Sequence, residues 1–111
     1  MKIYNTKAEI DADLDEAGNL NIQDDIDIRC DCTIKGNISA GDITARGISA
    51  WNITAGDISA RDISARNISY YAVCVAYQTF TCRAVKGRRE KSLHACLDSA
   101  IIFKKAKTEE Q

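Results

Sequence analysis

The chain has 111 residues, of which 45% are hydrophobic and 28% charged, and its formal net charge is −1 at pH 7. This length predicts one domain, and this composition excludes a disordered chain. No apolar run approaches the ~20 residues that span a bilayer, and the first residues do not resemble a secretory signal. We therefore expect a cytoplasmic protein with no membrane partner. Five cysteines, an odd number without an export signal, indicate reduced thiols.

Charge is unevenly distributed along the chain. Residues 1–32 carry nine acidic side chains against three basic ones, whereas from residue 71 onward eight basic side chains face four acidic ones. The chain therefore runs from an acidic first part to a basic last part, and this gradient needs a structural or functional explanation.

The first segment, residues 1–35, is predicted to form strands that cap one end of the fold. Apolar residues alternate between 10 and 14, turn residues follow at 16–19, and Leu20 begins a second apolar stretch, which predicts a β-hairpin. Alternation from 26 to 34 predicts a half-buried strand. Its apolar face consists of Ile26, Ile28, Cys30, Cys32 and Ile34.

Residues 36–70 consist of seven five-residue units. Ile recurs at every fifth position from 38 to 68, a hydroxyl residue follows it, and Ala comes next in all units except the last, which has Tyr70. A helix would scatter these Ile side chains around its axis, and a straight strand would send alternate Ile to opposite faces. The pattern therefore predicts one bend per unit, with Ile and Ala inward and successive coils paired as a parallel β-solenoid.

The sequence leaves the length of one coil open. A shift of fifteen residues superimposes Asn37 on Asn52, which would give three sides per coil. A shift of twenty superimposes Trp51 on Tyr71 but mismatches more positions, and it would give four sides. The predicted fold class is therefore all-β, a parallel β-helix with three or four sides per coil and β-strand caps at both ends.

With these units, the run from 36 to 70 resembles the pentapeptide-repeat proteins over about a third of the chain. The resemblance implies a right-handed, four-sided β-helix of twenty residues per coil. In that family the small residue precedes the large one by two places, whereas here Ile precedes Ala. The following sequence, RNISYYAVCVAYQTFTCRAVKGRRE, is similar to short repeat proteins of bacteria and their phages, which are largely of unassigned function.

Residues 71–111 are predicted to form a degenerate coil and a second cap, so that residues 1–111 make a single solenoid domain. The five-residue register continues through four further inward positions, Val73, Val75, Gln78 and Phe80. Segment 92–104 fits a pair of closing strands about Asp98 or a short helix, and we favour strands. The last residues, KAKTEEQ, are expected to fray.

No residue pattern assembles an active site, so we expect no enzyme, no cofactor and no metal site. Cys30 and Cys32 are one residue apart in a predicted strand, which suits core packing better than the spacing of zinc ligands. His94, the only histidine, has no activated partner nearby in sequence. Asp residues recur at the corners together with Asn and Gly, which fits side chains that bond to their own turn rather than calcium ligands.

The basic run at residues 86–91 is the sharpest candidate for ligand binding. Its cations could hold phosphate, and the rings of Tyr70, Tyr71, Tyr77 and Phe80 could stack on a base. The alternative is a solvated loop that protects a sheet edge. On the repeat, Trp51 flanked by Arg offers a contact surface or packs by cation–π contact between coils. The candidate contact residues are Trp51, Tyr71, Lys86, Arg88, Arg89 and Lys91.

Two function classes follow. The first is a structural or protein-binding module that self-associates, because uncapped coil ends are natural pairing edges and the oppositely charged ends could stack as a dimer or a filament. The alternative is a small nucleotide- or nucleic-acid-binding protein that uses residues 86–91, for example to sequester a nucleotide in a phage–host context. The resemblance also implies DNA mimicry that inhibits topoisomerases, which needs a strongly negative face that this near-neutral repeat does not offer.

Overall fold

The computed structural model describes residues 2–103, which form a parallel β-solenoid of about five turns. Within them the chain forms one helix, α1 (Lys7–Ala12), and twelve strands. In chain order the strands are β1 (Lys2–Tyr4), β2 (Leu20–Asn21), β3 (Ile26–Thr33), β4 (Asn37–Ser39), β5 (Ile43–Ser49), β6 (Asn52–Thr54), β7 (Ile58–Ser64), β8 (Asn67–Tyr70), β9 (Val73–Cys82), β10 (Ala84–Gly87), β11 (Leu93–Cys96) and β12 (Ile102–Phe103). None of the helical structure in residues 2–103 is long and apolar enough to cross a membrane.

The strands belong to two parallel sheets. The long sheet has the order β1-β3-β5-β7-β9-β11, and β12 also pairs with β9. The short sheet has the order β2-β4-β6-β8-β10. From β2 to β11 the chain passes to the other sheet after every strand. Each coil therefore contributes one strand to the long sheet and one to the short sheet, which is the arrangement of a solenoid.

The register of the paired strands gives the length of the coil. Asn37 pairs with Asn52, Asn52 pairs with Asn67, and Ile43 pairs with Ile58. Partners in the regular repeat are thus fifteen residues apart, so three five-residue units form one coil. The three-unit alternative is confirmed, and the twenty-residue coil that the resemblance to pentapeptide-repeat proteins implies is wrong for this chain.

The inward direction of Ile and Ala is also confirmed. All seven repeat Ile side chains are at most 3% exposed, and the six repeat Ala residues are buried or packed against the core. Equivalent positions stack from coil to coil, so that the core is a set of columns. The column under the short sheet consists of Leu20, Ile38, Ile53, Ile68 and Val85. Because each coil buries its apolar residues against its neighbours, the columns stabilise the coils jointly.

After the repeat, the observed register differs from the predicted one. Ile58 pairs with Cys74, a spacing of sixteen residues. Of the four residues predicted to point inward, Val73 and Gln78 are exposed and only Phe80 is fully buried. The prediction is wrong for Val73 and Gln78, because one extra residue at the corner before β9 moves Cys74 into the Ile column. A second extra residue, at a bulge opposite Ala60–Asp62, places Phe80 above Ile63.

The first segment contains a helix where a hairpin strand was expected. Thr6 caps α1, and its side chain and that of Glu9 form a reciprocal capping box. Ile10 is 1% exposed and closes this end of the core. β2 pairs in parallel with β4 instead of returning along a preceding strand. The predicted hairpin is therefore wrong, and a helix shares the N-terminal cap with β1.

A buried tyrosine anchors the residue that follows α1. The hydroxyl of Tyr4 donates to Asp13 Oδ2 at 2.7 Å, and the Lys2 ammonium lies 3.2 Å from the same oxygen. The hydrogen bond from Tyr4 and the contact with Lys2 hold the pKa of Asp13 below its ordinary range. The carboxylate thus stays ionised and ties the end of the helix to β1.

At the other end, the predicted closing strands are present. β11 and β12 lie on either side of Asp98, and both pair in parallel with β9 rather than with each other. The predicted fraying of the last residues, 105–111, lies outside the described residues.

Candidate interaction surfaces

At one corner of the coil, each Asp side chain bonds to the next coil. The backbone N–H of Asp57 donates to Asp42 Oδ1 at 2.9 Å, and that of Asp42 donates to Asp25 Oδ1 at 2.8 Å. The carboxylates pass so close to Gly41 and Gly56 that a Cβ there would lie 2.4 Å from the carboxylate oxygen. The Asp series is structural, as predicted, but it links neighbouring coils rather than bonding within its own turn.

A second corner carries Trp51. Backbone N–H groups of Trp51, Arg66 and Arg83 each donate at 2.8 Å to the residue one coil earlier, so that Gly36 and these three residues form a column. The Arg66 guanidinium lies 4.1 Å from the centroid of the Trp51 ring. The cation–π contact between coils is therefore present, and it fixes a ring that remains 50% exposed.

Tyr71 lies at the opposite edge of the short sheet. Its backbone N–H donates to Gly56 at 2.7 Å, and that of Arg89 donates to Tyr71 at 2.9 Å. Trp51 and Tyr71 therefore belong to different columns, and two half-exposed aromatic rings flank the short sheet. Tyr70 and Phe80 are fully buried, so the expectation that their rings are available for stacking is wrong.

The basic run is divided among different environments. Lys86 points outward from β10, next to Ser69 of β8 in the register. The Arg88 guanidinium donates to Ser69 O at 3.2 Å, to Ser69 Oγ at 2.9 Å and to Ala55 O at 2.9 Å. Arg89 is exposed beside Tyr71, and Lys91 lies in the following turn with φ 65°. Arg88 thus fastens β10 to the two preceding coils, whereas Lys86 and Arg89 face solvent.

The charged side chains are distributed differently over the short and the long sheet. We define the cationic face as the outer surface of the short sheet from β4 onward with the Trp51 corner and Tyr71, residues 35–40, 51–55, 66–71 and 83–89. These residues include no Asp or Glu and six cations, Lys35, Arg66, Arg83, Lys86, Arg88 and Arg89. Exposed carboxylates border the face on the Tyr71 side, where Asp42 and Asp57 accept backbone N–H groups of the next coil and Glu90 follows Arg89. This face is not apparent when charges are counted along the chain. Aligning residues 36–70 in rows of fifteen would have shown which residues stack from coil to coil.

The long sheet is mixed in charge. Three arginines on it approach Asp side chains at 3.2–4.0 Å, in the pairs Arg29–Asp27, Arg46–Asp31 and Arg61–Asp62. The acidic residues of this sheet are thus accompanied by cations, and the strongly negative face that DNA mimicry needs does not form on it.

The floor of the cationic face is shallow, and its outward side chains are mostly polar. Its outward positions form one column of Asn37, Asn52 and Asn67 and one column of Ser39, Thr54, Ser69 and Lys86. Asn67 Nδ2 donates to Asn52 Oδ1 at 3.0 Å. A depression of about 390 Å³ lies over these residues of β6, β8 and β10.

A second surface lies at the C-terminal end of the solenoid. We define the C-terminal patch as the exposed apolar side chains of the last coil and of β9 beneath it, which are Val73, Tyr77, Leu93, Leu97, Ile102 and Phe103. Leu93 pairs with Val73 in the register, and the backbone N–H of Leu97 donates to Ala76 at 3.0 Å. The patch therefore spans two successive coils at the open end of the fold.

The cysteines and the histidine belong to the core and its closure. Burial raises the pKa of Cys74 to about 12 and those of Cys32 and Cys82 to about 11. Residues 2–103 contain no group of three or more side chains that could hold a metal ion. His94 Nδ1 lies 2.7 Å from the Tyr70 hydroxyl, and its ring packs edge-on against the tyrosine ring. His94 thus covers the last repeat unit.

No family model, curated protein or solved structure matches this chain.

Proposed function

We propose that this chain is a non-enzymatic β-solenoid module that forms a dimer by pairing its last coil with that of a second copy. The observation that supports this proposal is the difference between the two ends. At the N-terminal end α1 covers the core through Ile10, which is 1% exposed. At the other end β11 has a partner on one side only within residues 2–103, and the C-terminal patch is uncovered.

The patch is large enough to matter for association. Leu93, Leu97, Ile102 and Phe103 are 53–65% exposed. Because a large apolar side chain presents on the order of 200 Å², these four leave roughly 400 Å² uncovered, a size at which apolar patches mark interaction sites. Two such patches with a polar rim approach the ~1,200 Å² at which specific interfaces begin. We therefore expect a weak, concentration-dependent dimer.

Charge and shape favour a symmetric pairing over head-to-tail stacking. The last coil, residues 90–103, carries two acidic residues and one Lys besides His94, so apposing two copies brings little repulsion. Head-to-tail stacking would place the apolar patch on the exposed Lys7, Glu9 and Asp11 side chains of α1. Surface ion pairs contribute at most about 1 kcal/mol each, whereas the apolar area contributes about 25 cal/mol per Å². The symmetric dimer closes on itself.

Sedimentation velocity over a concentration series, at low and high salt, tests the proposal. We expect a dimer whose fraction rises with protein concentration and does not fall with salt. Leu97→Glu and Phe103→Glu should each give a monomer, and Trp51→Glu, which changes an equally exposed ring away from the patch, should leave the dimer intact.

Three results would contradict the proposal. A monomer at all concentrations excludes self-association, and dissociation by salt or growth into longer oligomers indicates charge-driven head-to-tail stacking. A dimer that appears only after residues 104–111 are deleted shows that the chain's own last residues occupy the patch.

A further inference from the structure

We propose that the cationic face binds single-stranded nucleic acid. The proposal is independent of dimer formation, because the cationic face and the C-terminal patch are different surfaces. Six cations lie on this face, in a chain whose net charge is −1. The carboxylates of Asp42 and Asp57, at the Tyr71 edge, each accept a backbone N–H of the next coil. The basic run alone does not account for the six cations, since Arg66 and Arg83 reach the face from other parts of the chain through the corner column. Such a surface attracts phosphates without sequence preference.

The shape of the face fits a polymer better than a mononucleotide. Neighbouring strands lie about 4.8 Å apart, so the four strands from β4 to β10 extend over roughly 14 Å. The depression over β6, β8 and β10 is open, and its lining includes the amides of Asn52 and Asn67, the hydroxyls of Thr54 and Ser69, Lys86 and the apolar Ala84. Amide and hydroxyl groups can bond to phosphate and sugar oxygens along a strand, whereas a mononucleotide would need an enclosing pocket.

Aromatic side chains stand at both edges of this floor. Trp51 and Tyr71 are 50% and 52% exposed, and the Arg66 guanidinium holds the Trp51 ring in one position. A ring that is already fixed loses little entropy when a base stacks on it. A groove with distributed cations and exposed rings is the arrangement by which proteins bind single strands, and stacking contributes about 1–3 kcal/mol per base.

The structure also separates the cations by role. All three hydrogen bonds of the Arg88 guanidinium go to Ser69 and Ala55, so Arg88 is a positioning residue that holds β10 in place. Arg83, Lys86 and Arg89 make no ion pair within the described part of the chain. These three side chains are the ones that we assign to phosphate contacts.

Fluorescence anisotropy with a labelled twelve-nucleotide oligothymidylate tests the assignment. With these three phosphate contacts, log K should fall against log salt with a slope of roughly −2. The double variant R83A/K86A should reduce that slope by about 1.4 and weaken binding at least about tenfold at low salt. The matched control R46A/R61A removes the same charge from the long sheet and should bind like the unmodified protein.

Trp51 is the only tryptophan of the chain, so its fluorescence reports on this face alone. We expect the unlabelled oligonucleotide to quench it, and thermal unfolding should show that both double variants remain folded.

Four results would overturn the proposal. They are no binding at low salt, equal loss of affinity in both double variants, competition by poly-glutamate as strong as that by the oligonucleotide, and a mononucleotide that binds as tightly as the oligonucleotide. The third would indicate a general polyanion surface, and the fourth a nucleotide pocket.

Discussion

Gly56 lies where the Asp42 carboxylate crosses from one coil to the next. A Cβ on Gly56 would stand 2.4 Å from Asp42 Oδ1, the atom that accepts the backbone N–H of Asp57 at 2.9 Å. The backbone of Gly56 is not left-handed, because Gly18 is the only described glycine with positive φ. An alanine at Gly56 is therefore opposed by the Asp42 side chain and not by the backbone.

This geometry predicts that the effect of Gly56→Ala changes sign with the residue at position 42. With Asp42 present, the methyl group displaces the carboxylate and removes a charge-assisted hydrogen bond, and we expect a loss of about 1 kcal/mol after the entropic gain of alanine over glycine is subtracted. In the Asp42→Ala background the space is free, so Gly56→Ala should stabilise the fold by about 0.4–1 kcal/mol. The coupling free energy is therefore about 1.5–2 kcal/mol.

Urea unfolding of the four proteins, followed by far-UV circular dichroism with reductant present, measures this coupling. A Cβ on Gly41 would lie 2.4 Å from Asp25 Oδ1 but also 3.2 Å from backbone atoms of Asp24 and Asp25, so Gly41→Ala should gain less from Asp25→Ala than Gly56→Ala gains from Asp42→Ala. Equal effects of Gly56→Ala in both backgrounds, within the ~0.5 kcal/mol expected of independent sites, would refute the role that we assign to the carboxylate.

Three further predictions concern the core, the thiols and the register. Ile53 is fully buried, so Ile53→Ala should lower the free energy of unfolding in urea by about 3–4 kcal/mol, from ~0.8 kcal/mol for each of three carbons plus the cavity. Ser39→Ala, on the outer face, should change it by less than ~0.5 kcal/mol. Similar costs for both substitutions would contradict the inward direction of Ile. Cys30 and Cys96 are partly exposed, whereas Cys32, Cys74 and Cys82 are buried. A maleimide at pH 8 should therefore label two thiols quickly in the folded protein and all five in denaturant. Fast labelling of a buried thiol in the folded protein would contradict its place in the core. Asn52 and Asn67 are partners on adjacent strands, whose spacing of about 4.8 Å lies inside the ~4.4–6.8 Å that a disulfide requires between Cα atoms. Cysteines replacing these two residues should therefore form a disulfide, whereas cysteines replacing Asn52 and Ala72, twenty residues apart, should not; peptide mapping distinguishes the two.

The sequence already contained the signal for the helix at the N-terminal end. Thr6 and Glu9 have the spacing of a capping box, and they form one in the structure. The prediction of a hairpin instead weighed the alternation of apolar residues between 10 and 14. That stretch is too short for periodicity to separate a strand from one and a half helical turns, so the capping residues were the better guide.

The register after the repeat was harder to predict, because both faces of β9 are apolar. Val73 and Val75 fitted the five-residue count, but Cys74 and Ala76 occupy the core positions. Their alignment with Ile58 and Ala60 keeps an alanine above an alanine. The same shift turns the Val73 side chain outward, where it contributes to the C-terminal patch. No residue count alone reveals an insertion at a corner.

The length of the coil is encoded in the outward-facing side chains rather than in the core. Ile recurs every five residues, so its side chains would stack in columns equally well in coils of fifteen or of twenty residues. The outward-facing side chains would not, because each must bond to its counterpart one coil away. Asn67 Nδ2 on β8 donates to Asn52 on β6, and at one corner the N–H of Asp57 donates to Asp42. Both contacts join residues fifteen apart, and the glycine before Asp57 leaves the space that the second one needs. In a coil of twenty residues, Asp42 would instead face Asp62, and Arg61 would replace the glycine that its carboxylate must pass. These hydrogen bonds between coils thus select the three-unit coil, and this coil in turn gathers the cations of distant segments on one face.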